Sequence, residues 1–259
     1  MQLLSRQYDA KGYIEATCIQ NGVTPDAGYK EMLERAENTL LDIKKVLRSD
    51  AFNDTSKHFV DTSIEREGRR EVFVVKANVI LPFGMMTAAN ALWTVLSTDK
   101  IGEFCYFHRV AQKTENTIAQ AFGIRCADED VDADFRGKYT FSRFKDEDRM
   151  VIVWVAEFEP VELNGVRCCG IKCQTTGWIQ LSEQLSGHIP KQQSGKVSMT
   201  QAYAYSRLNL ESDPSKCSDM LPLHSFFCLA QRMHDKFMLS YSSVLEKALF
   251  EEDWKMNME

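Results

Sequence analysis

The chain has 259 residues, of which 44% are hydrophobic and 26% are charged, with a formal net charge of −6 at pH 7. The length allows one large or two small domains with a sizeable core, and the acidic balance argues against a nucleic-acid-binding protein, which usually carries a basic patch. Because no apolar run predicts a transmembrane helix and the N-terminus lacks the apolar stretch of a secretory signal, we expect a soluble, cytoplasmic protein.

The first 50 residues change from an irregular to a helical pattern. Residues 1–27 contain Gly12, Gly22 and Pro25 and are predicted to be a poorly structured lead-in. In the segment 28–50 apolar residues recur three and four positions apart, which predicts an amphipathic helix. The members of this stripe are Tyr29, Leu33, Ala36, Leu40, Ile43 and Leu47. The stripe has two interpretations: packing on the chain's own domain, or dimerisation as a short coiled coil.

The next part of the chain alternates between strand and helix patterns. Residues 50–70 are polar and mixed, and the charged run at 65–70 favours an exposed turn or edge. Period-two alternation over 71–81 predicts a strand, and the apolar spacing over 84–97 predicts a helix. Two more strands are predicted at 103–113 and 117–125, joined by a tight turn.

A β-hairpin over 135–160 is the most clearly patterned feature of the sequence, with a charged turn at 145–149. In its second strand the residues of one parity are all apolar, whereas the other parity is apolar only at its centre. The continuous set is Met150, Ile152, Trp154, Ala156 and Phe158. Because alternate side chains of a strand point to opposite faces, we predict an interior strand with one face toward a deep core or a cavity.

The C-terminal part predicts two more strands and a long helix. Asn164 and Gly165 predict a hairpin turn, before strands at 166–181 and around 197–205. From about residue 221 a helical stripe predicts a helix of about 30 residues, or about 45 Å. The stripe consists of Phe226, Ala230, Met233, Phe237, Tyr241, Val244 and Ala248. A long amphipathic helix that follows antiparallel strands is expected to lie across the sheet, which makes the fold class α+β.

Short motifs spread over residues 28–252 share a recognisable pattern. The most specific runs from Asp148 to Trp154 and reads DRMVIVW. The others are Val79-Ile80-Leu81-Pro82-Phe83, Ala91-Leu92-Trp93, Thr114-Glu115-Asn116-Thr117-Ile118, Phe122-Gly123-Ile124, Arg143-Phe144, Glu159-Pro160 and Thr176-Gly177-Trp178. Together they resemble the START (steroidogenic acute regulatory protein-related lipid transfer) superfamily, and more specifically its START-like, mating-specific type from oomycetes.

The resemblance implies a helix-grip fold, in which a curved antiparallel sheet wraps around a long C-terminal helix. The START-like domain would span 51–259, with the helix at 28–50 as an addition. It also implies a hydrophobic tunnel for a lipid or another apolar ligand, without catalysis. The chain lacks the basic leucine-zipper-like N-terminus and the zinc-binding lipid-headgroup module of some relatives, and no charged ligand pair carries over to it. The ligand's identity therefore stays open.

The expected lining of this tunnel combines strands with the C-terminal helix. The alternative, an ordinary dry core, stays open because an apolar stripe is normally core. An acyl chain of about sixteen carbons would gain on the order of 10 kcal/mol from burial, before the ordering costs of binding. The candidate residues are Met150, Ile152, Trp154, Phe158, Cys169, Ile171, Cys173, Tyr203, Phe226, Met233 and Phe237.

Two groups of metal-ligating residue types are predicted not to bind metal. On a regular strand Cys169 and Cys173 would lie roughly 13 Å apart, too far for one zinc ion. The alternating aspartates at 128–134 lack the glycine and glutamate of a calcium loop and favour a solvated loop. The sequence has no nucleophile elbow, zinc-protease motif or P-loop. We therefore predict no catalytic residue, cofactor or metal.

Two functions of different classes remain open. The first is non-enzymatic binding of a lipid or hydrophobic small molecule, with transfer or sensing and transient membrane contact as extensions. The second is a regulatory protein–protein interaction module with a closed or vestigial cavity, which would bind a partner or dimerise through the helix from Tyr29 to Leu47. Ligand removal should destabilise a ligand-binding protein, whereas an interaction module should oligomerise with rising concentration.

Overall fold

We describe a computed structural model of the protein that covers residues 27–49, 52, 58–68, 70–98, 105–127, 132–146, 148–183, 199–212 and 223–258. The predicted lead-in, apart from Ala27, lies outside these described residues. Most of the predicted acidic loop, at 128–131, also lies outside them.

This part of the chain forms three helices and nine strands. The helices are α1 (Ala27–Leu47), α2 (Met85–Ser97) and α3 (Leu223–Met258). The strands are β1 (Phe59–Glu67), β2 (Arg70–Leu81), β3 (Phe107–Lys113), β4 (Thr117–Ala127), β5 (Asp132–Lys145), β6 (Arg149–Leu163), β7 (Val166–Arg167), β8 (Ile171–Glu183) and β9 (Thr200–Ser212).

All nine strands belong to one antiparallel sheet. Their order is β1-β2-β9-β8-β6-β5-β4-β3, and the short β7 pairs with the end of β6. Strand β6 lies between β5 and β8, which makes it an interior strand as its sequence predicts. The predicted antiparallel sheet and C-terminal helix are both present. With 36 residues α3 is longer than predicted, and it measures about 54 Å at the usual helical rise.

Two predicted turns have the local chemistry that hairpins need. Asn164 and Gly165 have φ angles of 50° and 78°, the left-handed values that a two-residue hairpin turn requires. Between β3 and β4 the Thr114 hydroxyl accepts hydrogen bonds from the N–H groups of Asn116 at 3.3 Å and Thr117 at 3.0 Å. The sequence therefore specifies where these strands reverse.

One strand prediction is wrong. The strand expected at 166–181 is divided into β7 and β8, because the chain bends at Gly170, whose φ is 76°. Cys169 lies in this bend and is exposed, so the regular spacing assumed for Cys169 and Cys173 does not hold. The exposed turn or edge expected at 65–70 is confirmed, because the chain reverses there between β1 and β2 at Gly68, whose φ is 62°. The edge strand β1 itself was not predicted, because its mixed polar sequence hides its alternation.

The two parities of β6 face two different helical layers. We call the side that carries Ile152, Trp154 and Phe158 the front face, and the side that carries Val151 and Val153 the back face. Helices α2 and α3 pack on the front face, and α1 packs on the back face. The second parity of β6 is apolar at its centre because α1 covers that region.

The apolar stripe of α1 is buried against the chain's own sheet. The exposed fractions of Tyr29, Leu33, Ala36 and Ile43 are 6% or less. Three of them join a cluster with the valines of β6 and Trp178. The structure therefore shows packing on the chain's own domain, the first of the two interpretations of this stripe.

Candidate functional site

The described front face carries three buried apolar clusters: one toward each end of the strands, and a third on β4 to β6 around Phe122, Tyr139 and Ala156. The first, the α2 cluster, combines Met150, Ile152 and Leu181 with α2 and the C-terminal half of α3. The second, the α3 cluster, combines other strand residues with the N-terminal turns of α3. Its members include Phe73, Phe135, Leu163, Cys173, Leu208, Phe226 and Phe227. Helix α3 therefore bridges the two ends of this face.

Between the α2 cluster and the α3 cluster the front face is lined by small side chains. On β9, Ala202 belongs to the α2 cluster and Leu208 to the α3 cluster, which sets them about 20 Å apart along the strand. The front-face positions between them are Ala204 and Ser206, and both are half-buried. Gly177 on β8 pairs with Ser206. We call these small residues and their neighbours the front-face floor: Ala77, Thr175, Gly177, Ala204 and Ser206.

Trp154 lies at the edge of this floor and is only half-buried, although it belongs to an interior strand. Its front-face neighbours Ile152 and Ala156 are 0% and 7% exposed. The indole covers Gly177, where an added methyl group would overlap the indole carbons. Glycine at 177 therefore lets the large ring lie along the sheet, where it stays partly exposed.

Helix α3 crosses this region near strands β1 and β2. The Gln231 side-chain amide donates a hydrogen bond of 3.1 Å to the Thr62 hydroxyl. Three residues further on, the His234 ring lies 6.1 Å from the Phe73 ring, edge to face. These contacts hold the helix over the front face on one side of the floor.

Polar groups interrupt the apolar front face on the floor and toward β3. On the floor, the Thr175 hydroxyl donates to the Arg207 carbonyl at 3.1 Å and lies 3.5 Å from the Ser206 hydroxyl. Toward β3, Gln120 is 1% exposed and shares a register row with Tyr139 and Ala156. These groups give an otherwise apolar region fixed points for polar contact.

Gln120 has two polar neighbours, and both contact the same atom. The Tyr139 hydroxyl donates a hydrogen bond to Gln120 Oε1. The His108 Nε2 atom lies 2.5 Å from the same oxygen. We call these three residues the Gln120 cluster. It is flanked by the rings of Phe122 and Phe141.

Burial raises the pKa values of two ionisable groups in these apolar clusters. Desolvation, with a smaller contribution from Glu159, raises the pKa of the Cys173 thiol well above its ordinary value. Desolvation likewise raises the pKa of the Tyr241 hydroxyl in the α2 cluster. A protonated, buried thiol is a poor nucleophile, so Cys173 acts here as an apolar packing residue.

The structure brings most of the predicted site residues together on the front face. Cys169 is an exception because it is exposed in the bend before β8. The side chains of Met233 and Phe237 lie outside the described residues. The residues that do share the front face are Met150, Ile152, Trp154, Phe158, Ile171, Cys173 and Phe226.

The prediction that Tyr203 lines the site is wrong, because this residue lies on the back face. It pairs with Gln180 and Asn78 and packs in the back-face cluster. Its ring lies 6.0 Å from the Phe52 ring, edge to face. The parity of β9 explains the error, because its front-face residues are the even-numbered alanines and serine, whereas the odd-numbered tyrosines resemble an apolar lining.

Sequence reasoning missed the front-face floor and Gln120. The signal for the floor is the run of small residues at positions 202, 204 and 206, which share one parity of β9. No comparable signal marks Gln120, because a single glutamine in a strand pattern usually predicts a solvent-facing position. Its burial depends on the pairing of β4 with β5, which joins it to Tyr139.

The solvated loop predicted for the aspartates at 128–134 is wrong at its end, because Asp132 and Asp134 belong to β5 and Asp134 is buried. Arg125 forms a bidentate contact with Asp132, at 2.8 and 2.5 Å, and this hydrogen bonding lowers the pKa of the aspartate. Asp134 accepts a hydrogen bond of 2.6 Å from the Tyr106 hydroxyl. Among the described residues no group of three or more metal-ligating side chains is placed to hold an ion.

The sequence matches no protein-family model, and no curated protein matches it. Among solved structures it is similar to human STARD10, with 12% identity, 91% of this chain and 84% of that chain covered, and a TM-score of 0.43. It is also similar to human StAR-related lipid transfer protein 5, with 13% identity, 84% of this chain and 96% of that chain covered, and a TM-score of 0.42. A third similar structure is the Zhui aromatase/cyclase from a Streptomyces species, with 13% identity, 71% of this chain and 96% of that chain covered, and a TM-score of 0.41. At values this low the neighbours carry no argument about the ligand of this chain.

Within the described part of the chain, no helix is long and apolar enough to span a membrane.

Proposed function

We propose that this protein binds a lipid or another hydrophobic small molecule, without turnover, between the front face of the sheet and α3. The observation that carries the proposal is the half-buried Trp154 in an interior strand, beside a floor of small residues. A dry core would cover such an indole, because protein interiors are packed to the density of organic crystals. Accessible apolar surface under a bridging helix is suited to an apolar ligand.

The chemistry of the front face suits binding better than catalysis. The polar groups described on and beside the floor are hydroxyls, an amide and an imidazole, and the buried Cys173 thiol is held protonated. Transfer of apolar surface from water stabilises a complex by about 0.8 kcal/mol for each buried CH₂ group. The ligand's affinity would therefore come mainly from its hydrocarbon part.

The motif resemblance supports a finer form of this proposal. A sheet that wraps around α3 in the manner of a helix-grip fold would make the protein a cytoplasmic START-like binding protein of the oomycete type. In that form Trp154, Phe158 and Phe226 would contact the ligand, and Met150 and Ile152 would support the wall. Met233 and Phe237 stay predictions from helical spacing.

Native mass spectrometry of the purified protein tests the proposal, followed by organic extraction and identification of what is released. We expect a stoichiometric apolar ligand in the wild type. Ala204→Trp should remove it by filling the front-face floor. The matched control is Tyr205→Trp, which places the same side chain at the adjacent position on the back face and should keep the ligand. Far-UV circular dichroism verifies that both variants fold.

A bare protein mass that stays bare after incubation with phospholipids, fatty acids and sterols would overturn the proposal. The interaction module would then be favoured if sedimentation showed oligomers that grow with concentration. In the structure, the α1 stripe that would serve such a module is buried against the back face. The structure therefore offers this rival no free apolar stripe at the place where the sequence suggested one.

A further inference from the structure

The most informative polar residue on the front face is Gln120, because a buried amide needs hydrogen-bond partners. An amide side chain has two N–H donors and an oxygen that can accept two hydrogen bonds. In the described structure both contacts of Gln120 are made by Oε1, with the Tyr139 hydroxyl and the His108 ring. Neither N–H donor has a partner in the part of the chain that the structure describes.

The position of this amide connects it to the proposed ligand site. Gln120, Tyr139, Ala156 and Thr175 form one continuous register row across β4, β5, β6 and β8 on the front face. Adjacent strands lie about 4.8 Å apart, so the amide starts about 10 Å from β6. The Tyr139 side chain stands between them and its hydroxyl holds the amide oxygen, and the rings of Phe122, Phe141 and Phe158 pack around it.

The free group is a donor, which decides what kind of ligand atom it can hold. Since Gln120 Oε1 already has two neighbours, a ligand donor would find no open lone pair there, whereas a ligand acceptor would meet two N–H groups. A carboxylate is disfavoured because a buried charge needs a cation. The front-face cation Arg143 is held elsewhere, over the Trp93 ring at 4.9 Å and against Asn116 at 3.2 Å.

We propose that Gln120 is the specificity-determining residue of the site and that its amide donates to an uncharged oxygen of the ligand. This inference rests on the proposed function. The ligand class is then an apolar molecule with one neutral oxygen acceptor, such as an ester, ketone or sterol-type oxygen, placed toward β4. Its hydrocarbon part extends over the floor toward Trp154 and Ser206.

The experiment compares two probes that differ in the oxygen function. Radiolabelled methyl palmitate and heptadecane each have seventeen carbons, and each is allowed to partition from phosphatidylcholine vesicles onto the protein, with cholesterol and cholestane as a second pair. Gel filtration separates protein from vesicles. We expect the wild type to prefer the oxygen-bearing member of a pair about tenfold, the discrimination of one well-made hydrogen bond.

Gln120→Met should abolish this preference while the binding of the plain hydrocarbon is kept or improved. The matched control is Gln180→Met, because Gln180 is also buried but lies on the back face, where its oxygen accepts from Arg149 at 3.3 Å. That variant should keep the tenfold preference. If Gln120→Met does not fold, Gln120→Asn, which withdraws the amide by one carbon, is measured against the same criteria.

The outcomes separate the two proposals. If the wild type takes up none of the four probes, the proposed function fails and this inference fails with it. If it takes up both members of a pair equally, or if Gln120→Met and Gln120→Asn keep the preference, the assignment of Gln120 is wrong and apolar ligand binding stands.

Discussion

The two faces of the sheet bury apolar residues in different ways. On the back face, Trp178 is 1% exposed and is enclosed by the rings of Phe52 at 6.3 Å and Tyr205 at 6.1 Å. On the front face, Trp154 belongs to the neighbouring strand β6 but stays half-buried above Gly177. One tryptophan completes a closed core, and the other borders accessible space.

The difference lies in the residues around each ring. Large rings and valines fill the back face under α1, whereas alanine, glycine and serine line the centre of the front face under α3. Small residues take up less of the volume above the sheet than the rings and valines of the back face do. Apolar composition alone therefore does not distinguish a core from a binding site, and the distribution of side-chain size does.

The largest expected effect is the loss of a tryptophan from the closed face. Trp178→Ala should lower the free energy of unfolding by about 3–5 kcal/mol, the usual cost of removing a large aromatic ring from a core. Trp154→Ala should cost about half as much, since its ring is already partly exposed. Urea unfolding of ligand-free protein measures both values. Equal losses would mean that the front face is packed as tightly as the back face.

Adding volume should also destabilise the back face more than the front face. Ala119, on the back face, is 0% exposed, so Ala119→Leu should cost about 1–3 kcal/mol through overpacking. Ala204→Leu, on the front-face floor, should be close to neutral for the stability of ligand-free protein and should reduce ligand occupancy. Thermal unfolding with and without extraction provides the comparison. A comparable penalty at Ala204 would argue that no space exists above the floor.

The front-face side of β6 could be predicted because its alternation is local. Trp154 and Phe158 share a parity whatever the neighbouring strands do, and hairpin turns such as Asn164-Gly165 fix where strands reverse. The same logic correctly selects the buried side of α1, whose stripe follows from helical spacing.

The rest of the site could not be predicted because it depends on which strands are neighbours. Tyr203 appeared suitable as a lining residue by its type, but the register of β9 with β8 places it on the back face. Cys169 would lie on a strand if Gly170 did not interrupt it. Gln120 becomes buried only when β4 pairs with β5, a contact that local periodicity does not contain.

A smaller effect is expected for the ion pair that ties α1 to β6. Arg35 Nη1 lies 2.5 Å from Glu157 Oε1, and the two side chains are 26% and 30% exposed. Because partly exposed pairs are screened by water, Arg35→Met should cost less than about 1 kcal/mol, and added salt should reduce the difference from wild type. The comparison variant is Arg125→Met, whose pair with Asp132 is more exposed at 53% and 39% and should matter less. A salt-independent loss larger than that of Trp154→Ala would show that the pair, and not the apolar stripe, holds α1 in place.

The smallest effect is expected at Glu37 on α1, where the change should stabilise the protein. Burial, and then the charge of Glu34, raise the pKa of the Glu37 carboxyl above its ordinary value, and its Oε1 has no hydrogen-bond partner in the described structure. A raised pKa in the folded state means that this carboxyl favours folding below its unfolded pKa, about 4.3, and that this contribution is lost as the pH rises through the folded value.

Glu37→Gln should therefore raise the free energy of unfolding at pH 7 by up to about 0.5 kcal/mol, and the gain should disappear below about pH 4. Glu31→Gln, at an exposed position of the same helix, removes the same charge and corrects for the change in net charge. A gain that persists at acidic pH would assign the effect to hydrogen bonding of the new amide, and the back face under α1 would then tolerate polar groups better than its packing indicates.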